Sequence, residues 1–330
     1  MKIAIIGAAG MVGNKILQVI DEQNIDAQFF LFGEQSQENT IVFFNGENYK
    51  MIALSHKSLL DIKPDFVLFV AGGTVSAEYA PVVASYGGIA IDNSSHFRMH
   101  NNIPLVIPEV NPELIKNIKD GAIIANPNCS TIQSVVALAP LHDRYILKRI
   151  IYTTYQATSG AGLNGVLDLE RGIRGEKHQT FQYQIFDNII PQIDEFQSNG
   201  TTREEQKMID ETRKILGMPN LHISATCVRV PIKNSHSVSI VAEFENKIDI
   251  TEVRTILESA PGINVMDKPA AREYPMPIHA NEQDEVFVGR LRVDESASNI
   301  LSMLVVADNV RKGAATNAVQ ILKILTKRHK

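Results

Sequence analysis

The chain has 330 residues, of which 44% are hydrophobic and 21% are charged, and its formal net charge is −5 at pH 7. This length favours two globular domains, and the composition excludes a disordered or a fibrous chain. The negative net charge argues against a nucleic-acid-binding protein, because such proteins neutralise phosphates with clustered lysines and arginines.

The N-terminal third alternates short apolar runs with helical patterns. It opens with KIAIIGAAGMVGNKILQVIDEQ, in which a β-type run, a glycine-rich turn and a helical repeat follow one another. Further apolar runs are DAQFFLF, DFVLFVAGG, GGIAIDNSS and GAIIAN, with a helical stretch from about Val75 to Tyr86. Fully apolar strands that alternate with helices are typical of a parallel sheet covered on both faces. The pattern therefore predicts a Rossmann-type, doubly wound α/β domain.

From about Lys148 the predicted strands are longer and alternate apolar with polar residues. They are KRIIYTTYQATS, HISATCVRVPI and SHSVSIVAEFE, and they predict an α+β second domain with a mixed sheet. The segment from about Thr180 to Arg203 has no clear period and is interpreted as a loop. The tail ADNVRKGAATNAVQILKIL returns to helical spacing, and we interpret the basic ending KILTKRHK as the solvated end of that helix. The predicted domains are 1–127 with 309–330, and 128–308.

Neither a membrane span nor a disulfide framework is predicted. No apolar run approaches the roughly 20 residues that a spanning helix needs. The two cysteines, Cys129 and Cys227, are too few for a disulfide framework and fit a reducing compartment. We therefore expect a cytoplasmic protein with no membrane partner.

The glycine-rich turn between the first strand and the first helix predicts a dinucleotide site. Gly7, Gly10 and Gly13 would let the backbone approach a pyrophosphate, and the amides at the helix N-terminus would receive its charge. The alternative is a tight turn without a ligand. Past the second strand, Glu34 stands near the position where a carboxylate accepts from the ribose 2′-hydroxyl of NAD. Taken alone, this residue mildly favours NAD.

Cys129 lies between a predicted strand and the helical stretch STIQSVVALAPL. A thiolate at a helix N-terminus is stabilised by the helix dipole and by free amides. Free cysteine is also commonly a small buried hydrophobic residue, and we give this interpretation to Cys227 in the strand SATCVRV. The position of Cys129 therefore makes it a candidate nucleophile.

Several other polar residues have either a structural or a functional interpretation, and the residues alone leave both open. An amide at a strand end can donate to an oxyanion, and residues three apart share one helix face. No cluster has metal-ligand spacing, so we expect no metal site. The candidates are Gln156 in YQATSGAG, Glu204 and Lys207 in REEQK, Arg229 and His236 in VRVPIKNSHS, and Arg98 in DNSSHFRM.

Taken together, these segments resemble the aspartate-β-semialdehyde dehydrogenase family over nearly the whole chain. The resemblance rests on GAAGMVG, GGTVS, DNSSHFRM, IPEVN, NPNCST, YQATSGAG, REEQK, ATCVRVP followed by SHS, and DNVRKGAA. It implies an NADP-dependent interconversion of aspartyl-4-phosphate and aspartate-4-semialdehyde, which feeds lysine, threonine, methionine and diaminopimelate synthesis. It also implies a homodimer formed through the second domain.

The resemblance further assigns roles to the candidate residues. Cys129 would be the nucleophile that expels phosphate and forms a thioester, which hydride then reduces. His236 would be the general acid/base, and Gln156 would hold the intermediate. The implied substrate-binding residues are Arg229 for the α-carboxylate, Glu204 for the α-ammonium, Arg98 and Lys207 for the phosphate, and Asn128 beside the thiol. The implied cofactor-binding residues are Gly7, Ala8, Ala9, Gly10, Met11, Val12, Gly13, Glu34, Gln35, Ser36, Gly72, Gly73, Ser159, Gly160 and Asn309.

One stretch departs from the family pattern. Members of this type usually carry SARS after the second strand, with the arginine on the 2′-phosphate of NADP, whereas this chain has GEQS at 33–36. NADP is therefore the family expectation and NAD a second possibility.

Two other functions are compatible with parts of the pattern. One is a related acyl-phosphate reductase, such as an N-acetylglutamyl-phosphate reductase, although an acetylated amine needs no acidic partner such as Glu204. The other is a non-catalytic dinucleotide-binding protein that uses Cys129 as a redox sensor. That protein would not need His236 or Arg229 in its pocket.

Overall fold

The computed structural model describes residues 1–327, so the last three residues of the basic ending KILTKRHK lie outside the described part. The chain divides into two compact units. Residues 1–128 and the segment that begins at Ala314 form the first unit, and Cys129–Gly313 form the second. The second unit extends beyond the predicted position 308, because the side chain of Asn309 hydrogen-bonds within it to Ser159 and Ser235.

The secondary structure alternates strands and helices in the first unit and is more irregular in the second. The first unit contains β1 (Lys2–Ile6), α1 (Met11–Glu22), β2 (Gln28–Gly33), β3 (Ile41–Phe44), β4 (Glu47–Lys50), β5 (Ile52–Ala53), α2 (His56–Ile62), β6 (Phe66–Phe69), α3 (Gly73–Ser85), β7 (Ile89–Asp92), α4 (Glu113–Lys116) and β8 (Ile123–Ala125). The second contains α5 (Cys129–Tyr145), β9 (Leu147–Gln156), α6 (Gly162–Ile173), α7 (Arg203–Ile215), β10 (His222–Arg229), β11 (His236–Phe244), α8 (Ile250–Ser259), β12 (Ile263–Val265), α9 (Pro277–Ala280), β13 (Val286–Val293) and β14 (Ile300–Ala307). A π-helical turn at Arg311–Ala315 leads into α10 (Thr316–Thr326), which belongs to the first unit.

The first unit is built on a parallel sheet of six strands in the order β5-β2-β1-β6-β7-β8. The chain runs outward from β1 in both directions, as it does in a doubly wound sheet. Ile3 and Ile5 of β1, Ile16 of α1 and Leu322 of α10 share one buried core. The predicted Rossmann-type fold is therefore confirmed.

The second unit is built on a mixed sheet of six strands in the order β10-β9-β11-β14-β13-β12. β9 pairs with β10 in parallel and with β11 antiparallel. α5 is buried along most of its length, as is typical of a helix that fills a core. The predicted mixed sheet is confirmed, and the segment from 174 to 202 contains no helix or strand, as expected of a loop.

The hairpin of β3 and β4 is one of the elements that the sequence pattern did not predict. Its turn is formed by Asn45 and Gly46, both with positive φ, as a type I′ turn requires. Within residues 1–327, the structure contains no helix that is both long and apolar enough for a membrane span.

Candidate active site

Three of the predicted residues lie at one edge of the second sheet. Gln156 ends β9 and is the register partner of Arg229, which ends β10. His236 begins β11 directly before Ser237, whose register partner is Tyr155, so His236 continues the same row next to Gln156. Gln156, Arg229 and His236 are all buried. The row arises because β9 and β10 are parallel and end together, while β11 is antiparallel and begins there.

Cys129 is the first residue of α5 and is half-buried. The free amides and the dipole of a helix N-terminus stabilise negative charge, and therefore a thiolate, at this position. Gly313 lies directly against the cysteine, since a Cβ at Gly313 would come within 2.8 Å of the Cβ of Cys129. Cys227 is fully buried in β10, and burial raises the pKa of its thiol. The two cysteines therefore have the different environments that the sequence predicts.

The ring of His236 is fully buried and accepts a hydrogen bond at Nδ1 from the backbone N–H of Ala157, at 3.0 Å. This bond assigns the ring proton to Nε2, which has no hydrogen-bond partner in the described part of the chain. Burial, and then the positive charge of Arg229, lower the pKa of His236 well below its ordinary value of 6.5. The ring is therefore neutral, with a buried N–H donor that a ligand would satisfy.

The guanidinium of Arg229 is held from several sides. Its Nη1 donates to the carbonyl of Ala157 at 2.7 Å. A Cβ at Gly160 would come within 2.6 Å of Nη1 and 3.2 Å of the Nε2 of His236. Burial lowers the pKa of Arg229, but an arginine stays protonated in proteins. The site therefore keeps a fixed positive charge beside a neutral histidine.

The first turn of α7 brings Glu204 next to Gln156. Thr202 and Glu205 form a capping box, in which the Thr202 side chain accepts from the Glu205 N–H and the Glu205 carboxylate accepts from the Thr202 N–H. The cap fixes the start of the helix, and the buried Glu204 then accepts from the amide of Gln156 at 3.0 Å. This hydrogen bond therefore connects the end of β9 to the start of α7.

Lys207 lies one turn further along α7 and is paired with two carboxylates. Its ammonium donates to Asp194 at 2.5 Å and to Glu204 at 3.2 Å. Burial alone would lower the pKa of Lys207, but the two carboxylates raise it above its ordinary value. The side chain is therefore a charged donor. This face therefore carries two cations, Arg229 and Lys207, and two carboxylates, Glu204 and Asp194.

The structure adds two polar residues that the sequence did not single out. Gln133, one turn after Cys129, is fully buried and donates to the carbonyls of His236 and Val305 at 3.1 Å each. A polar residue on the inner side of an apolar helix was the available signal. Asp194 has a positive φ of 63° and lies in the unpatterned segment, where no period marks it.

Ser159, Gly160 and Asn309 are brought together in the second unit. The side chains of Ser159 and Asn309 hydrogen-bond to each other at 2.9 Å, and Asn309 accepts from the N–H of Ser235 at 2.9 Å. Ser235 directly precedes His236 and has a φ of 72°, a backbone that residues other than glycine rarely adopt. This network therefore fixes the entry into β11.

Arg98 and Asn128 lie in the first unit, and both are buried. The guanidinium of Arg98 donates to the carbonyls of Asn126 at 2.9 Å and Asn93 at 2.8 Å. Asn128 is the residue before Cys129 in the chain. The remaining predicted substrate residues belong to the second unit.

The glycine-rich turn after β1 fits a dinucleotide. Gly7 has a φ of 93°, and a Cβ at Gly13 would come within 2.2 Å of the carbonyl oxygen of Gly7. Gly10 is the N-cap of α1 and offers no side chain, and the first turn has no acidic residue. The predicted residues from Gly7 to Gly13 therefore form a loop at a helix N-terminus whose backbone amides are not covered by an acidic or capping side chain. Gly72 precedes α3 and Gly73 is its first residue, so the N-terminus of α3 is similar.

The residues after β2 carry two carboxylates and no basic side chain. The carboxylate of Glu34 accepts from the N–H of Gln37, and the amide of Gln35 donates to Glu38 at 2.7 Å. Ser36 completes the predicted set, and residues 33–40 include no lysine or arginine. The stretch therefore offers neutral hydrogen-bond donors and the carboxylates of Glu34 and Glu38.

Within residues 1–327, no group of three or more His, Cys, Asp and Glu side chains has the arrangement of a metal site.

Comparisons with known proteins agree with this architecture. The model of the semialdehyde dehydrogenase NAD binding domain matches residues 2–118, and that of the semialdehyde dehydrogenase dimerisation domain matches residues 138–312. The aspartate-semialdehyde dehydrogenase of Aquifex aeolicus is 48% identical over 99% of this chain and 98% of its own length. That of Campylobacter jejuni is 45% identical over 97% and 96%.

Solved structures give the same result. Aspartate semialdehyde dehydrogenase II from Vibrio cholerae aligns with a TM-score of 0.93 and 41% identity, covering 100% of this chain and 99% of its own. The same enzyme complexed with ASA aligns equally well. The chain belongs to the aspartate-semialdehyde dehydrogenase family.

Proposed function

We propose that this chain catalyses the NADPH-dependent reductive dephosphorylation of L-aspartyl-4-phosphate to L-aspartate-4-semialdehyde. The observation that carries the proposal is the second unit's combination of a thiol at a helix N-terminus with a neutral, buried histidine whose Nε2 donor has no partner within residues 1–327. The same unit supplies opposite charges for the head group of an amino acid. Family membership agrees with this reaction.

The thiol of Cys129 performs the first step. It reacts as the thiolate that the N-terminus of α5 stabilises: the sulfur attacks the acyl carbon, the C–S bond forms, and the bond between the acyl carbon and the phosphate oxygen breaks, so that phosphate leaves with the electron pair. The resulting thioester stays on the enzyme. A bound nicotinamide dinucleotide would supply the hydride that brings this thioester to the aldehyde level.

His236 and Gln156 serve the oxygen of the tetrahedral species. The hydrogen bond from Ala157 fixes the tautomer that donates from Nε2, so the resting ring is prepared for the donor part of an acid/base role. Gln156 is held by Glu204 and keeps its place at the end of β9. A hydrogen bond to a developing oxyanion in a water-poor site is commonly worth about 3 kcal/mol.

The charged side chains near Gln156, Arg229 and His236 fit the substrate. Arg229 would bind the α-carboxylate in bidentate fashion, and Glu204 would accept the α-ammonium. Lys207 and Arg98 would hold the phosphate, with Asn128 beside the thiol. An acetylated glutamyl substrate lacks the ammonium, and Glu204 would then be a buried carboxylate with a reduced role.

NADP is the proposed cofactor, and NAD is a second possibility. Family resemblance favours NADP, whereas Glu34 and the absence of a cation in residues 33–40 favour NAD. The residues that would hold the dinucleotide are the glycine cradle at Gly7–Gly13, Gly72 and Gly73, and in the second unit Ser159, Gly160 and Asn309. We also propose a cytoplasmic homodimer formed through the second unit, acting in lysine, threonine and methionine synthesis.

A spectrophotometric assay tests the proposal. Aspartate-semialdehyde and phosphate are supplied with NADP or NAD, and reduction of the cofactor is followed for wild type and for Cys129→Ala. We expect turnover that Cys129→Ala abolishes, while Cys227→Ala retains it. Turnover that survives the loss of Cys129, or no turnover with either cofactor, would refute the proposal. A non-catalytic redox sensor would give no turnover, and His236→Ala would leave its function unchanged.

A variant of Glu34 tests the cofactor preference in the same assay. Glu34→Ser removes the carboxylate, so the ratio of kcat/KM for NADP to that for NAD should rise about tenfold or more, since a like charge beside a phosphate is unfavourable. An unchanged ratio would show that Glu34 does not contact the ribose.

A further inference from the structure

The irregular segment between α6 and α7 lies along Arg229. The N–H of Ile190 donates to the carbonyl of Arg229 at 3.0 Å, and the N–H of Arg229 donates to the carbonyl of Ile190 at 2.8 Å. This isolated antiparallel bridge adds a partner to β10 at its last residue. The backbone of Arg229 is therefore fixed by a segment that has no helix or strand of its own.

The same segment is anchored by Asp168 of α6, a buried carboxylate. Its oxygens accept from three consecutive backbone N–H groups, those of Gln179 at 2.8 Å, Thr180 at 2.7 Å and Phe181 at 2.9 Å. Arg171 adds a fourth bond at 2.9 Å. Burial alone would raise the pKa of Asp168, but these hydrogen bonds lower it below its ordinary value. An ionised carboxylate thus fixes the turn at 179–181.

That turn places the ring of Phe181 against the guanidinium of Arg229. The Cζ of Arg229 lies 5.8 Å from the centroid of the ring, within the range of a cation–π contact. Gly165 of α6 provides space for this ring, since a Cβ there would come within 3.2 Å of the Cζ of Phe181. Phe181 also packs on the buried cluster of Leu169, Ile185 and Ile190, and these contacts support the ring.

The guanidinium is thus confined by an aromatic ring, by the carbonyl of Ala157 and by the backbone of Gly160. We propose that Phe181, held by Asp168, is a specificity-determining residue that orients Arg229 for the α-carboxylate of the substrate. This inference rests on the proposed function, in which Arg229 binds that carboxylate. Phe181 acts through Arg229 and is therefore a positioning residue.

A carboxylate-free substrate separates this role from a purely structural one. Aspartate-semialdehyde without its α-carboxylate is 3-aminopropanal, which has no group for Arg229 to bind. Loss of the ring should weaken turnover of the first aldehyde and leave the second unchanged. The specificity ratio is kcat/KM for aspartate-semialdehyde divided by kcat/KM for 3-aminopropanal, measured with phosphate and the cofactor that wild type prefers.

Phe181→Leu keeps apolar volume but removes the ring. We expect its specificity ratio to fall about 5- to 30-fold, the range of a desolvated cation–π contact. Phe181→Tyr keeps the ring and should keep the ratio. Tyr183→Leu is the matched control, because Tyr183 is an exposed aromatic residue of the same segment. If 3-aminopropanal turns over too slowly, the KM for aspartate-semialdehyde relative to the KM for phosphate replaces the ratio.

The outcomes distinguish this inference from the proposed function. A wild type without turnover of aspartate-semialdehyde refutes the proposed function. An active wild type whose ratio is the same in Phe181→Leu overturns this inference alone. A fall in the ratio for Phe181→Leu and Asp168→Asn, but not for Phe181→Tyr or Tyr183→Leu, supports it.

Discussion

Among single residues, His236 links the chemistry of the site to the stability of the fold. Burial and the charge of Arg229 lower the pKa of His236 well below 6.5, so the folded protein keeps the ring neutral. The unfolded chain binds a proton at this residue below about pH 6.5. Since only the unfolded state gains the proton, the free energy of unfolding decreases as the pH falls below this value, by up to about 1.4 kcal/mol per pH unit.

His236→Gln removes this titration and should flatten the pH dependence of stability. We expect the Tm of wild type to fall more steeply than that of His236→Gln between about pH 7 and pH 5. Calorimetry in matched buffers measures both slopes. His222→Gln is the control, because His222 is exposed. Parallel slopes for wild type and His236→Gln would contradict the prediction.

Residues with local signals could be predicted, and residues whose role depends on distant partners could not. Cys129, Gln156, Arg229 and His236 each stand where a strand or a helix begins or ends, which the apolar pattern indicates. Phe181 stands in a segment without a period, and its neighbour Arg229 is distant in the chain. Asp168, which is also distant in the chain, fixes the turn that places the ring against the guanidinium.

Among the elements, the π-helical turn at Arg311–Ala315 brings backbone to the nucleophile. The N–H of Gly313 donates to the carbonyl of Asp308 at 3.0 Å, five residues back, which is the π-type bond. The carboxylate of Asp308 accepts from the N–H groups of Val310 at 2.8 Å and Arg311 at 3.0 Å and so fixes the start of the turn. Gly313 then lies against Cys129, where a side chain would collide with it.

Gly313→Ala should displace the thiol. A Cβ at 2.8 Å from that of Cys129 forces one of the two to move, and a displacement of this kind commonly lowers kcat about 10- to 100-fold. Gly217→Ala is the control, because Gly217 has a positive φ and open space around it, so alanine strains the backbone away from the site. Steady-state kinetics and Tm values are compared. A normal kcat in Gly313→Ala would contradict the prediction.

The helical elements also show where the pattern was insufficient. The sequence predicts a helix that starts in the ADNVRKGAA segment, whereas α10 begins only at Thr316, after the π turn. Alanine-rich helical spacing cannot distinguish i+4 from i+5 bonding, which here depends on Asp308. The hairpin of β3 and β4 has a sequence signal in Asn45-Gly46, but it lacks the longer apolar run that marks the strands predicted from the sequence.

At the scale of the whole molecule, one face of the second sheet is suited to a second copy of the chain. Ile151 and Tyr155 of β9 point to the side opposite the buried residues of that strand, and Ile151 is the register partner of Val241 on β11. Ile151 is 37% exposed and Tyr155 41%. Exposed apolar residues in the middle of a sheet mark an interaction surface, and these lie within the match to the dimerisation domain.

Ile151→Lys combined with Tyr155→Lys should therefore convert the homodimer to monomer. Two desolvated ammonium groups at an interface cost several kcal/mol, which raises the dissociation constant at least about a hundredfold. Analytical ultracentrifugation over a concentration series measures the change. Leu60→Lys is the control, because Leu60 is 40% exposed on α2 of the first unit, outside the matched dimerisation segment. A double variant that dimerises as tightly as wild type would place the interface on another surface, while a monomeric wild type would refute the proposed dimer itself.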